Sequence, residues 1–271
     1  MSVSVVIPSR DRPLALRRCL ASIARKGPRT VEVVVVDDGG EVPATVATVA
    51  TEQGARTVRL DGVGPAAARN AGVSEARGEI VLLLDDDCVV RPGWVERLVE
   101  AVEAGERIVA AGSVSAPRDA NVWLNASERI ARGVEDATCF FRTMNLACRR
   151  ELLLALPFDE SFRNAGGEDR DWCVRAARAG VDFRRVPEAR VDHRSALDGR
   201  SFVAQQMRYG RAARHLQEQG TLTRVPPRAL CRDIVAGLRE RPTIGVTMIA
   251  GHAFAAAGYL LESGVRGAAV G

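Results

Sequence analysis

Three short runs, residues 3–7, 31–36 and 80–84, are almost wholly apolar, rich in Val, Ile or Leu, and each stops abruptly at polar residues. Parallel strands covered on both faces read this way, because neither face alternates with solvent. Between the first two runs, residues 13–25 place Leu14, Leu16, Leu20 and Ile23 at helical spacing, and a second helical stretch, 65–76, leads into the third run. The pattern predicts a β-α-β opening and an α/β sheet. Its polar strand ends, Pro8-Ser9-Arg10-Asp11, Asp37-Asp38-Gly39-Gly40 and Asp85-Asp86-Asp87, would then gather along one edge, where open α/β sheets bind ligands.

The alternation continues with a helix at 94–104, a strand at 108–114, a loop-rich stretch, and helices at 149–155 and 168–179, the last closed by Gly180. A strand-like piece, 182–186, leads on to Val191-Asp192-His193. From about Ser201 the pattern is helical, broken at Val225-Pro-Pro-Arg228. This predicts a catalytic domain over 1–200, with a nucleotide-binding half (1–115) and an acceptor-binding half (116–200), and a helical C-terminal extension over 201–271.

Charge is nearly balanced, 38 Lys+Arg against 34 Asp+Glu, so the chain is no general nucleic-acid binder. The basic excess collects late, at Arg208, Arg211, Arg214, Arg224, Arg228, Arg232, Arg239 and Arg241. Twenty residues between Arg241 and Glu262 lack a formal charge, long enough to span a bilayer. Their Ala and Gly content and His252 favour instead a helix packed on the domain, on a second copy, or lying in a membrane interface. Six cysteines form neither a CxxC pair nor a zinc-like cluster, and no secretory n-region opens the chain, which fits a reduced, cytoplasmic protein, with the inner face of a membrane as its outer limit.

Three adjacent carboxylates, Asp85-Asp86-Asp87, repel one another unless something positive is near. They could form a solvated acidic turn, but a hard divalent ion such as Mg²⁺ or Mn²⁺ needs only one or two carboxylates when substrate phosphates supply the rest. Arg69 and Asn70 on the preceding helix add donors, as a nucleotide requires. Gly62-Val63-Gly64 lacks the third glycine of a dinucleotide fingerprint, and no GxxxxGK[ST] loop exists. A second cluster, Gly166-Gly167-Glu168-Asp169, opens a helix. Acidic residues there can simply cap it, or one can act as a general base. His193, at a strand end, could be structural, a metal ligand or a phosphate contact. Trp172 reads as core first, with a sugar or acceptor contact as the second option.

Taken in order, these pieces resemble the inverting family-2 glycosyltransferases of GT-A fold. The resemblance rests on Val5-Val-Ile-Pro-Ser9, Val33-Val-Val-Val-Asp-Asp-Gly39, Gly64-Pro-Ala-Ala-Ala-Arg-Asn-Ala-Gly72, Gly78-Glu-Ile-Val-Leu-Leu-Leu-Asp-Asp-Asp87, Met144-Asn-Leu-Ala147 and Gly167-Glu-Asp169, and covers about 3–195. It implies a mostly parallel, Rossmann-like nucleotide-binding sheet flanked by helices. Pro8, Ser9, Arg10, Asp38, Arg69, Asp85, Asp86, Asn145, Gly167 and Glu168 would contact the nucleotide sugar. Asp87, in the DXD position, and His193 would hold Mg or Mn, and Asp169 would be the catalytic base of a single inverting displacement. The implied partners are a nucleoside diphosphate sugar and a hydroxyl acceptor, either a glycan, a lipid-linked intermediate or a small natural product. Two departures, Gly40 after Asp-Asp-Gly and Leu156-Pro-Phe158 before the acidic loop, leave the donor open. A nucleotidyltransferase would show a basic, glycine-rich first loop, of which Pro8–Pro13 is a poor version. A non-catalytic glycan-binding relative is the other alternative, and the retained Asp87, Asp169 and His193 weigh against it.

Overall fold

The computed structural model describes residues 1–24, 30–41, 43–138, 140–220 and 225–267, so Arg25, Arg224 and one of the six cysteines, Cys139, lie outside it. The chain divides into two compact units, one of Met1–Ser115 with Phe141–Arg194, the other of Ala116–Phe140 with Ser195–Gly271. The sequence places a boundary at residue 200 and groups 116–200 together, whereas the compact units join residues 116–140 to the C-terminal helices.

The first unit holds β1 (Val3–Ser9), α1 (Pro13–Ala24), β2 (Glu32–Asp38), α2 (Pro43–Glu52), β3 (Arg56–Leu60), α3 (Pro65–Glu75), β4 (Ile80–Leu84), β5 (Cys88–Val90), α4 (Trp94–Glu103) and β6 (Ile108–Ser115). After α5 (Val122–Thr138), which belongs to the second unit, it resumes with β7 (Asn145–Arg149), α6 (Arg150–Ala155), α7 (Glu168–Arg178) and β8 (Asp182–His193). The sheet runs β3-β2-β1-β4-β7-β6-β8-β5. Its first four strands are parallel, β7 is antiparallel to both neighbours, and β6 and β8 are parallel again.

Every residue of β4 is buried, as its unbroken apolar run demands, and β1 exposes only Pro8 in part. Val5, Ile7, Val35, Leu82 and Leu84 pack with Trp94 and Leu98 of α4 in one continuous core. What the sequence read as two strand pieces after residue 182 is one strand, β8, whose pairing with β6 shifts register between Gly112 and Ser113. Gly180 takes the left-handed conformation (φ 75°) just past α7, as predicted.

The second unit contains α5, α8 (Gly199–Glu218), α9 (Pro227–Glu240) and α10 (Pro242–Gly267). Asp198 caps α8 by accepting from the Ser201 N–H, while the Ser201 hydroxyl accepts from the Asp198 N–H. Leu124, Ala126 and Ile130 of α5 pack with Phe202, Ile244 and Met248. That shared apolar cluster is why α5 belongs with the C-terminal helices rather than with the sheet.

Candidate active site

Parallel pairing of β1 with β4 sets Val6 opposite Leu83, so the chain leaves both strands at the same edge. There the Ser9 hydroxyl donates to Asp86 Oδ2 at 2.7 Å. The acidic triplet forms the tight turn from β4 into β5, closed by the Cys88 N–H donating to the Asp85 carbonyl. Cys88 pairs with His193 at the end of β8, and the Arg194 N–H donates to the Asp87 carbonyl at 2.7 Å. The topology thus brings Ser9, the triplet and His193 together from three distant stretches.

Two arginines and a histidine meet the three carboxylates of this turn. Asp85 Oδ1 accepts from Arg69 at 3.0 Å. Asp86 Oδ1 and Asp87 Oδ2 are bridged by the Arg12 guanidinium at 2.7 and 2.8 Å, and His193 Nε2 stands 3.4 Å from Asp87 Oδ2. Burial pushes the Asp86 carboxyl up against the pull of Arg12, to about 7. Asp87 is driven the other way: burial opposes ionisation, but His193 and Arg12 outweigh it and hold the carboxyl below the usual range. Arg12 was no candidate in the sequence, where one arginine in a polar loop reads as solvated. Its place three residues past β1, against the turn that follows the adjacent β4, was the signal available.

Arg69 continues the network. It is buried, and besides Asp85 it donates to Glu168 Oε1 at 3.0 Å, while Glu168 Oε2 accepts from the Gly166 N–H at 2.7 Å. One guanidinium therefore ties the acidic turn to the first residue of α7. Gly166 and Gly167 make that approach with φ of 117° and 109°, which a side chain would oppose. Next along is Asp169, whose carboxyl burial and the neighbouring Glu168 raise to about 7 while Arg69 pulls it back. A carboxylate ionising near neutrality suits a general base.

Other expected contacts have different surroundings. Asp38 accepts from the N–H groups of Val63 and Gly64 at 2.7 and 2.9 Å, shaping the loop before α3 with both oxygens. Asn145 is fully engaged in the core: its amide nitrogen donates to the carbonyls of Ser113 and Ala189, and its oxygen accepts from Trp94 Nε1 at 2.7 Å. Pro8 is half-buried on β1, and Arg10 is exposed with its guanidinium beside Gly62. Trp172 is wholly buried, stacked on Phe158 and donating to the Leu156 carbonyl, so its role is packing.

Among the described residues no group of three or more His, Cys, Asp or Glu side chains forms a ready metal cage. The donor chemistry nonetheless suits a hard cation: Asp86 and Asp87 are buried carboxylates that already share the positive guanidinium of Arg12, and the His193 imidazole lies against Asp87.

The model of glycosyl transferase family 2 matches residues 4–163, more than half of the chain. A pre-mycofactocin glycosyltransferase of Mycobacterium tuberculosis is 31% identical over 227 residues, 78% of this chain and 46% of that protein. An uncharacterized glycosyltransferase, YwdF, of Bacillus subtilis is 36% identical over 107 residues, 39% of this chain and 40% of that protein. The chain spans less than half the length of these relatives. Among solved structures, the mannosyltransferase PcManGT of Pyrobaculum calidifontis, in complex with GDP-Man and Mn²⁺, superposes with a TM-score of 0.63 at 23% identity, over 97% of this chain and 79% of that one. S. aureus TarS 1-349 in complex with UDP superposes with a TM-score of 0.56 at 16% identity, over 99% and 92%. These likenesses are ones of fold.

Proposed function

The chain belongs to glycosyl transferase family 2 and has the GT-A fold, and on that premise we propose that it moves a sugar from a nucleoside diphosphate sugar to an acceptor hydroxyl with inversion at the anomeric carbon. The observation that carries this reading is the Asp85–Arg69–Glu168 bridge, which ties the acidic turn at the sheet edge to a helix start whose next residue, Asp169, titrates near neutrality.

In this mechanism the Asp169 carboxylate takes the proton of the acceptor hydroxyl as that oxygen attacks the anomeric carbon. The new carbon–oxygen bond forms on one face while the bond to the diphosphate breaks on the other, and its electron pair leaves with the nucleoside diphosphate. Asp87, with His193 and Asp86, would hold a divalent cation, which when bound neutralises charge on the leaving diphosphate. PcManGT with Mn²⁺ and GDP-Man supports both the metal and the donor class. Gly167 keeps the backbone close to that site, and Ser9 orients Asp86. Glu168 is committed to Arg69, which leaves the base role to its neighbour.

The test is a thermal-shift screen of nucleoside diphosphate sugars with Mn²⁺ or Mg²⁺, followed by NMR of the product from the sugar that binds. The reading requires stabilisation by a donor, growing with its concentration, and a product of inverted configuration. Retention would refute the single displacement, and no response to any donor would refute the activity.

A further inference from the structure

Helix α10 is apolar nearly all round, with a mean hydropathy of 1.6 over Pro242–Leu261, yet it is only partly covered. Its packing to neighbouring helices uses glycine. A methyl on Gly210 of α8 would sit 1.9 Å from the Ala255 carbonyl oxygen, and one on Gly258 would sit 2.1 Å from that of Met207. Gly237 of α9 and Gly245 abut likewise, and Gly251 lies against Phe202 of α8 and Ile130 of α5. Three sides of α10 are thereby occupied.

The fourth is bare. Pro242, Val246, Ile249, Ala253, Ala256 and Leu260 are all exposed and recur at alternating steps of four and three, a single stripe along the helix without a polar residue. Val246, Ile249 and Leu260 are 60%, 49% and 66% exposed. On α9, Arg228, Arg232, Val235 and Arg239 form a second exposed stripe at steps of four, three and four, basic with an apolar residue inside it.

Charge identifies what covers the bare stripe. From Gly199 to Gly267 there are ten arginines and four carboxylates, a surplus of six, whereas the whole chain has a surplus of four. The net positive charge thus lies in this stretch of sequence, and the rest of the chain sums to a net negative charge. A second copy docking through the same face would bring the same surplus against itself. An anionic bilayer offers both a place for the apolar stripe and attraction for the arginines. The close glycine packing argues for a helix lying on the membrane rather than crossing it, since crossing would strip α10 from α8. We propose that the exposed face of α10, together with the exposed arginines of α9, docks this protein on the surface of an anionic lipid bilayer.

The test is co-sedimentation of the full chain with vesicles of phosphatidylcholine alone or with about 30% phosphatidylglycerol, at low and high salt. Binding to the anionic vesicles should exceed that to neutral ones at least tenfold and weaken with salt. Val246→Ser/Ile249→Ser/Leu260→Ser, at exposed positions that leave the melting temperature unchanged, should lower partitioning at least tenfold. Arg228→Gln/Arg232→Gln/Arg239→Gln should lower it by about fivefold per arginine and flatten the salt dependence. Failure to pellet with anionic vesicles at millimolar lipid would overturn the proposal. So would a concentration-dependent dimer, seen by light scattering, that the serine variant abolishes, because the face would then be an interface between copies.

Discussion

Replacing Arg69 with methionine keeps the aliphatic stem and removes the one cation shared by Asp85 and Glu168. The guanidinium is 5% exposed, as is Glu168, while Asp85 is 22% exposed. Glu168 therefore suffers most: it keeps the Gly166 N–H but loses its only ion-pair partner seen among the described residues, whereas water can compensate Asp85 in part. Breaking a buried pair from one side costs about 3–5 kcal/mol. For a domain of roughly 150–250 residues each kcal/mol lowers the melting temperature by about 2–4 °C, so Arg69→Met should melt about 6–20 °C lower. Circular dichroism melts at pH 7.5 measure it. Arg69→Met/Glu168→Gln, which removes the stranded charge, should recover a substantial part of the loss. A drop under about 2 °C, or a double variant no more stable than the single one, would refute the account of Arg69 as the strut between the turn and α7. Arg69 also favours the ionised form of Asp169, so the same variant, where it folds, should shift the acidic limb of any pH–rate profile upward.

The remaining predictions concern the base, the cation and the helix packing. Asp169→Asn should lower turnover by about 10²–10⁴ while donor binding, read by thermal shift, persists. In the wild type the rate should rise with pH through about 7 and level off, because the ionised carboxylate is the active form. Stability should run the other way: a carboxyl raised in the fold favours folding at acidic pH and loses that contribution as pH climbs from the unfolded value toward 7. Melts from pH 4 to pH 8 should accordingly show Asp169→Asn gaining on the wild type. Arg12→Gln removes the guanidinium from Asp86 and Asp87, and calorimetric titration of Mn²⁺ without donor should show tighter binding; unchanged or weaker binding would mean that Arg12 and the metal do not share these carboxylates. Gly258→Val places side-chain atoms against the Met207 carbonyl and should cost about 1–3 kcal/mol of overpacking, detectable as faster proteolysis of the C-terminal helices.

The strands legible in the sequence were those buried on both faces. An unbroken apolar run such as Ile80–Leu84 has no other comfortable place, and the polar residues ending it mark the sheet edge. Helices bounded by Pro and Gly, such as α3 and α7, were legible for the same local reasons. Five elements were missed, the short strands β3 and β5 among them, and the other three show why. Helix α2 is built on Thr and Val, whose β-branching disfavours helix, and tertiary packing of Val46 and Val49 overrides that preference. Strand β7 is five residues long and runs against its neighbours, with small Ala147 and Cys148 inside the sheet, so nothing in its composition announces it. Helix α5 carries its apolar stripe on few large residues, and its partners lie some 70–120 positions later in the chain. At the site, the carboxylates were visible because clustered charge is unusual, whereas their counter-charges were not. Arg69 appeared as a nucleotide-sugar contact and Arg12 not at all, since an arginine's partner is decided by which strands lie side by side.

These two arginines differ in a way that bears on catalysis. Both answer the same electrostatic problem, three adjacent carboxylates at the end of an apolar strand, but in different surroundings. Arg69 is buried and holds Asp85 and Glu168 from inside the protein, so removing it leaves charges that water cannot readily reach. Arg12 is half exposed and grips Asp86 and Asp87 from the solvent side. The charge it neutralises is one that a hard cation could neutralise instead. Under the proposed function the division of labour follows from this placement. Asp85 and Glu168, both held by Arg69, would fix the spacing between the acidic turn and α7. Asp86 and Asp87, gripped from the solvent side, would be the pair that could hold a cation. Asp169, beside the fixed pair but committed to neither arginine, keeps the titration near neutrality that a base requires.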